Sequence, residues 1–327
     1  MMDEYITPQE GANAVRKRIS IMVPTYNEEE NVIPLTEAII AEFKSSLPGY
    51  DFDITFIDNC STDSTRVKLE ALCALYPFVR AIFNVRNFGQ FNSPYYGICQ
   101  TTGDCTIPLC ADFQDPIEMI PKLVAEWEKG YKVICAVKES SRENKLMRFL
   151  RTCYYKMIRK MSSVEQIEHF TGFGLYDRSF VDVLRSLDDP TPFIRGIVAE
   201  LGFAKKIVPY EQAKRRAGKT HNNFNTLYDA AMLSFTTYTK TPIRLAGVLG
   251  CLFLGASCLG AVACLVLHLL DVNIRELWLL PAIGFFGSLN LIFTSIIGEY
   301  LLNIRSKINK RPLVIEEKRI NFDTEDP

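Results

Sequence analysis

Before the chain has reached Leu75, a β-rich run has twice led through a polar loop into a helical repeat, and this alternation limits the possible folds more than any other feature. Ile19 to Val23 ends at Pro24-Thr-Tyr-Asn-Glu28, and apolar positions at helical spacing follow from Asn31 to about Phe43. Phe52 to Ile57 is the second strand, Asp58 to Ser64 its polar loop and Thr65 to Leu75 its helix. Further strands are expected over Val79 to Phe83 and Cys105 to Leu109. Strands alternating with helices imply a parallel sheet with right-handed crossovers. An open sheet of this kind binds ligands at the C-terminal ends of its strands.

The richest of those ends lies in Thr106-Ile-Pro-Leu-Cys-Ala-Asp-Phe-Gln-Asp-Pro116. A short apolar run stops at a cluster of oxygen-bearing side chains, and Pro116 then opens a helical pattern. The strand delivers Asp112, Gln114 and Asp115 to its edge. Hard oxygen donors at i and i+2 suit Mg²⁺ or Mn²⁺, an ion whose remaining ligands would come from substrate phosphates. The competing reading is an acidic strand-to-helix turn with no ion.

The neighbouring loops offer groups a nucleotide could use. Tyr26 can stack on a base, and Asp58 and Glu28 can accept hydrogen bonds from a base or ribose. Each alone reads equally as solvated surface; their shared position at strand ends gives them weight together. No glycine-rich phosphate loop follows these strands, which argues against a dinucleotide dehydrogenase or a P-loop NTPase.

With 327 residues, 48% of them hydrophobic, and a net charge of −1, the chain can fill an α/β core and still have apolar sequence left over. That surplus sits near the C-terminus. Leu245 to Leu270 and Leu277 to Gly298 contain no Asp, Glu, Lys or Arg. At about 1.5 Å per residue, each can span a hydrocarbon layer of roughly 30 Å, so both are expected to be transmembrane helices. Lys240 and Arg244 precede the pair, Arg305, Lys307, Lys310 and Arg311 follow it, and the link Asp271 to Glu276 is slightly acidic. The positive-inside bias puts both ends in the cytosol with the α/β domain. The N-terminus carries no secretory signal pattern, and the ten cysteines include no Cys-x-x-Cys pair, so they read as reduced small hydrophobes. The expected location is the inner (cytoplasmic) membrane, multi-pass.

Between Lys138 and Lys160, basic residues including Lys138, Lys145, Arg148, Arg151 and Lys156 interleave with Leu146, Phe149, Tyr154 and Met157 at helical spacing. A basic amphipathic helix suits an anionic membrane surface. Nucleic acid is the competing partner and is disfavoured by the near-zero net charge. Residues 224–242 form a second candidate interface helix.

Five ordered motifs now carry a resemblance: Val23-Pro-Thr-Tyr-Asn-Glu-Glu-Glu, Asp58-Asn-Cys-Ser-Thr-Asp, Arg86-Asn-Phe-Gly, Gly103-Asp and Ala111-Asp-Phe-Gln-Asp-Pro. Together they resemble the family-2 inverting glycosyltransferases of GT-A fold, and within them the polyprenyl-phosphate glycosyltransferase branch. The resemblance implies an α/β GT-A domain, a nucleotide-sugar-binding and mostly parallel sheet, with amphipathic interface helices and two C-terminal transmembrane helices. The resulting layout is a polar segment over 1–18, a catalytic domain over 19–223, an interface helix over 224–242, a membrane hairpin over 243–300 and a cytosolic tail over 301–327.

By resemblance, Pro24, Tyr26, Glu28 and Asp58 match nucleotide-binding positions, and Asp112 with Gln114 matches the metal-binding part of the Asp-Ala-Asp-Leu-Gln-Asp-Pro motif. Lys138 and Arg148 fall where the family holds the acceptor phosphate. The implied reaction is metal-dependent, inverting transfer from a nucleotide-sugar, UDP-linked by preference and GDP-linked as the alternative, to a polyprenyl phosphate in the membrane. A homo-oligomer is expected.

Three departures stand out. Cys110 replaces the first Asp of the metal motif, and a thiol is a poor Mg²⁺ ligand. Gly172 and Gly174, in His169-Phe-Thr-Gly-Phe-Gly-Leu-Tyr-Asp-Arg178, replace an Asp and an Arg. His221 takes a Lys position in Arg215-Arg-Ala-Gly-Lys-Thr-His221, where it could contact a phosphate or lie solvated. Cys110, Gly172 and Gly174 keep a non-catalytic membrane scaffold or nucleotide-sugar-binding protein open as an alternative. A processive polysaccharide synthase is the other alternative, though neither Trp127 nor Trp278 lies in the Gln-x-x-Arg-Trp-like context of that class.

Overall fold

The computed structural model describes residues 16–139, 167–213 apart from 188, 190 and 191, residues 215–216 and 312–323, and isolated positions between 232 and 304. Eight strands form one sheet: β1 (Arg18–Thr25), β2 (Asp51–Asp58), β3 (Val79–Asn84), β4 (Cys105–Pro108), β5 (Val133–Lys138), β6 (Phe170–Asp177), β7 (Lys205–Tyr210) and β8 (Glu316–Ile320). Their spatial order is β7-β5-β6-β4-β1-β2-β3-β8. The block β4-β1-β2-β3 is parallel, β6 runs antiparallel to both neighbours, and β5 and β7 are parallel to each other.

The strands expected from the alternation all form, each within a residue or two of its expected ends. β1 and β2 are buried along most of their length because helices cover both faces, which is why they read as near-continuous apolar runs. Helix α1 (Val32–Ser46) buries Val32, Leu35, Thr36, Ile39 and Phe43, one stripe at helical spacing, and α2 (Thr65–Leu75) buries Leu69, Leu72 and Cys73. With α4 (Met119–Glu128) they close one face of the sheet. Helices α3 (Gly89–Cys99), α5 (Arg178–Ser186) and α6 (Ile194–Glu200) pack on the other, around Met22, Ile57, Ile82 and Tyr176.

Chain order matters more than strand count. From β1 the chain steps outward to β2 and β3, then returns through α3 to place β4 on the opposite side of β1. The connections after β1 and β4 therefore diverge and leave a crevice between them at the C-terminal ends of the strands.

Two outcomes differ from the sequence reading. Residues 316–320, assigned to a tail, supply the eighth strand, antiparallel to β3 with Ala81 opposite Ile320. The strand is locked in place as Asn321 donates its side-chain amide to the carbonyls of Cys73 (2.7 Å) and Val79 (2.8 Å), and as Arg66 pairs with Glu317 at 2.8 Å. Secondly, Gly172 and Gly174 have backbone reasons to be glycine. A Cβ at Gly174 would collide with the Ile134 carbonyl oxygen across the β5–β6 pair, and Gly172 has φ +100°.

Among the described residues no helix is long and apolar enough to cross a membrane. The expected spans over 245–270 and 277–298 lie outside the described residues except for isolated positions. The interface helices over 138–160 and 224–242 do so too, apart from residues 138, 139 and 232.

Candidate functional site

The loops that follow β1 and β2 are bonded to each other before they offer anything to a ligand. Asn27, in the left-handed region at φ 56°, donates its backbone N–H to Ser61 Oγ (2.9 Å) and accepts from the Thr62 backbone N–H on its side-chain oxygen (2.8 Å). The Glu28 backbone N–H donates to Thr65 Oγ1 at 2.9 Å. Tyr26 and Glu28 are thereby held above the end of β1, beside the crevice. Pro24 lies within β1 opposite Ile57.

Asp58, the last residue of β2, has no exposed surface. One carboxylate oxygen accepts from Ser61 Oγ at 2.5 Å and the other from the Ser61 backbone N–H at 3.1 Å. Arg66 approaches to 3.7 Å. Burial pushes the Asp58 carboxyl above its ordinary range, against the opposing pull of the Ser61 donors and Arg66. Here Asp58 braces its own loop.

Across the crevice, β4 ends in a tight turn. Phe113 adopts φ 61°, which lets the Gln114 backbone N–H return to Asp112 Oδ1 at 3.0 Å. Asp115 points away from the crevice into the fold, accepting from the Cys110 backbone N–H (3.2 Å) and the Tyr210 hydroxyl (3.0 Å). Burial raises its pKa. Of the three groups expected at this edge, Asp115 is thus a brace, while Asp112 and Gln114 stay at the opening, where Cys110 is exposed.

The residue that joins the two sides is one the sequence reading did not select. Arg215 donates Nε–H to Asp112 Oδ2 at 2.9 Å and an Nη2–H to Glu28 Oε1 at 3.3 Å. Both carboxylate side chains are only 10% exposed, and that of Arg215 is 25% exposed. The segment carrying Arg215 runs past the β4 turn: Ala213 N–H donates to the Gln114 carbonyl (3.3 Å), Arg216 N–H to that of Asp112 (3.2 Å), and the Arg216 guanidinium stacks 5.2 Å from the Phe113 ring centre. The Arg215-Arg-Ala-Gly pattern was visible in the sequence; its meeting with Asp112 and Glu28 was not.

Among the described residues no three His, Cys, Asp or Glu side chains gather to hold a metal by themselves. The crevice nevertheless fits an ion that takes most of its ligands from a diphosphate, because Mg²⁺ is commonly held by only one or two protein carboxylates. A cationic group, the Arg215 guanidinium, already bridges Asp112 and Glu28, so the two carboxylates form a seat for positive charge. Lys138, half-buried at the end of β5, carries positive charge near enough to Asp115 to oppose the rise in its pKa. Arg148 and His221 lie outside the described residues. Two surface cavities, of about 480 and 390 Å³, open at the opposite end of the sheet around Arg18, Asp53 and Arg80 and around Lys17, Asp104 and Asp177. They are remote from the Asp112 crevice.

Residues 20–184 match the family described as Glycosyl transferase family 2. The chain is 31% identical to a "Prophage bactoprenol glucosyl transferase homolog" of Escherichia coli, covering 91% of this chain and 98% of that one. It is also 31% identical to the "Bactoprenol glucosyl transferase" of Shigella phage SfII, covering 92% and 98%. Among solved structures, mannosyl-3-phosphoglycerate synthase from Rubrobacter xylanophilus is 15% identical with a TM-score of 0.47, covering 80% of this chain and 78% of that one.

Proposed function

The chain belongs to glycosyl transferase family 2, and from that premise we propose that it transfers a sugar from a nucleotide-sugar to the phosphate of a membrane polyprenyl phosphate, inverting the anomeric centre. The observation that carries this reading is the facing of Asp112 and Glu28 across the β1–β4 crevice with a cationic group between them. A crevice that seats positive charge suits a diphosphate leaving group.

Tyr26, Glu28 and Pro24 are assigned to the nucleotide, with Asp58 bracing the loop beside them, and a UDP-hexose is the preferred donor over a GDP-sugar. Asp112 and Gln114 would hold Mg²⁺ or Mn²⁺, which when bound supplies Lewis-acid neutralisation of the departing diphosphate. Lys138 and Arg148 are assigned to the acceptor phosphate, which they would aim at the anomeric carbon from the side opposite the diphosphate. A phosphate monoester with a second pKa of about 6 is largely dianionic at neutral pH and needs no strong general base. The glycines at 172 and 174, where related chains place an Asp and an Arg, are therefore compatible with turnover. Displacement with inversion gives a β-linked lipid phosphate sugar from an α-linked donor.

Topology supports a membrane-facing crevice. The residues that flank 217–311 both lie at this edge: Arg216 beside Asp112, and Ile315, whose carbonyl accepts from the Val85 N–H at 3.1 Å, just past the C-terminal end of β3. Both feet stand on the crevice edge of the sheet. Two membrane spans between them, as the charge-free segments suggest, bring the chain back to its starting side and hold that edge against the cytosolic face of the cytoplasmic membrane.

Purified full-length protein in detergent, incubated with polyprenyl phosphate and radiolabelled UDP- and GDP-sugars with and without Mn²⁺, tests the proposal. Label in the lipid fraction, dependent on the ion, is the expected result. Donor binding without turnover would reduce the protein to a nucleotide-sugar binder, and a long water-soluble polymer would make it a polysaccharide synthase.

A further inference from the structure

We propose, taking Asp112 as the carboxylate of an ion site as above, that Arg215 closes this site in the donor-free protein and is exchanged for the divalent ion when the diphosphate arrives. Three features point to a removable occupant. Both Asp112 oxygens are already engaged, Oδ1 by the Gln114 N–H and Oδ2 by Arg215, so an ion that bonds Oδ2 competes with the guanidinium for it. Arg215 stands beyond the last residue of β7, outside any regular element, and reaches Asp112 across 103 positions of chain. Its third nitrogen, Nη1, is shut off from solvent yet has no acceptor among the described residues.

The last feature sets the direction of the exchange. A guanidinium presents five N–H donors in a rigid fork suited to carboxylate or phosphate oxygens. In its present seat the fork spends Nε on Asp112 and Nη2 on Glu28 and leaves Nη1 unsatisfied. A diphosphate brings several charged acceptors and can take more of the fork at once. An ion arriving alone opposes the Arg215–Asp112 bond and offers the guanidinium no new acceptor. An ion arriving with a diphosphate gives Arg215 somewhere better to go. Binding of ion and nucleotide is thereby coupled, and an empty crevice stays neutralised.

The test is a Mn²⁺ titration of the full-length protein, following free Mn²⁺ by electron paramagnetic resonance without donor or acceptor. Arg215→Gln is expected to tighten Mn²⁺ by about tenfold, the worth of one charge-assisted hydrogen bond. Arg215→Lys, which keeps the charge but not the fork, should fall between it and the wild type and guards against a folding defect in the first variant. Arg216→Gln removes the same charge one residue along without touching Asp112, and should tighten Mn²⁺ far less. UDP should enhance Mn²⁺ binding strongly in the wild type and weakly in Arg215→Gln. Equal gains from the two Gln variants, an unchanged affinity in Arg215→Gln, or Mn²⁺ binding undiminished in Asp112→Asn would each overturn the exchange. A chain that behaves as expected here but transfers no sugar keeps the exchange and loses the sugar-transfer reading.

Discussion

Asp58 and Asp112 occupy matching places in the sheet, each at or just past the C-terminal end of a parallel strand and each largely buried, yet they are satisfied in opposite ways. Asp58 takes both of its close hydrogen bonds from Ser61, three positions on in its own loop. Asp112 takes one from Gln114, two positions on, and the other from Arg215, which arrives from the far end of the domain. A carboxylate satisfied by its own loop is set as soon as the loop forms and has little to offer a ligand while those bonds stand. A carboxylate satisfied by a distant, separately held cationic group can change partners without unfolding its loop. The first arrangement serves stability; the second is the one the proposed chemistry draws on.

That contrast is open to direct attack. The largest effect belongs to Asp112→Ala, which should cut sugar transfer by roughly 10³-fold or more, the rate equivalent of several kcal/mol of lost charge stabilisation. Its melting temperature should stay within a few degrees of the wild type, as calorimetry beside a transfer assay would show. Undiminished transfer by this variant would sink the site assignment. Asp58→Ala should reverse the pattern, destabilising the domain by about 2–4 kcal/mol as the Ser61 donors and Arg66 lose a buried acceptor. Denaturant titration reads that loss; a variant of Asp58 as stable as the wild type would erase the distinction between the two aspartates.

The smallest effect is one of pH. Burial raises the folded-state pKa of Asp58 above its unfolded value, so the folded form holds the proton more tightly. The resulting stability is complete below the unfolded pKa and is lost as pH rises through the raised folded value. Asp58→Asn cannot ionise and keeps an acceptor oxygen for Ser61. Its stability should therefore fall less than that of the wild type between the ordinary carboxylate range and neutrality. An unaltered slope in pH-dependent denaturant melts would show that Asp58 is not the group titrating.

Read along the chain, the two aspartates were equally visible, each a polar residue closing an apolar run. Their difference was not, because it rests on which partner arrives. Ser61 lies in Asp58's own loop, whereas Arg215, although it opens the Arg215-Arg-Ala-Gly pattern, carries no local mark that it meets Asp112 and Glu28. The glycines at 172 and 174 mislead in the same way. Set beside a motif they look like lost functional side chains, and only the folded backbone gives them a cause, the close β5–β6 approach at Gly174 and a positive φ at Gly172. β8 escaped notice too, since Glu316 to Ile320 is a mostly charged strand that only an existing edge, β3, can template.

The sequence alone determined the elements whose stability is local or nearest-neighbour: the β-rich runs, the amphipathic helices between them, the turn-forming loops at Asp58 and Asp112, and the charge-free stretches long enough to span a bilayer. Periodicity and loop chemistry decide these, and both act over a few residues. Tertiary structure decided what depends on closing long loops of chain: the return that puts β4 beside β1 and opens the crevice, the capture of β8, and the placing of Arg215 between Asp112 and Glu28. Such contacts form only once the sheet exists to bring their partners within a few ångströms, and nothing in the spacing of residues along a chain encodes that distance.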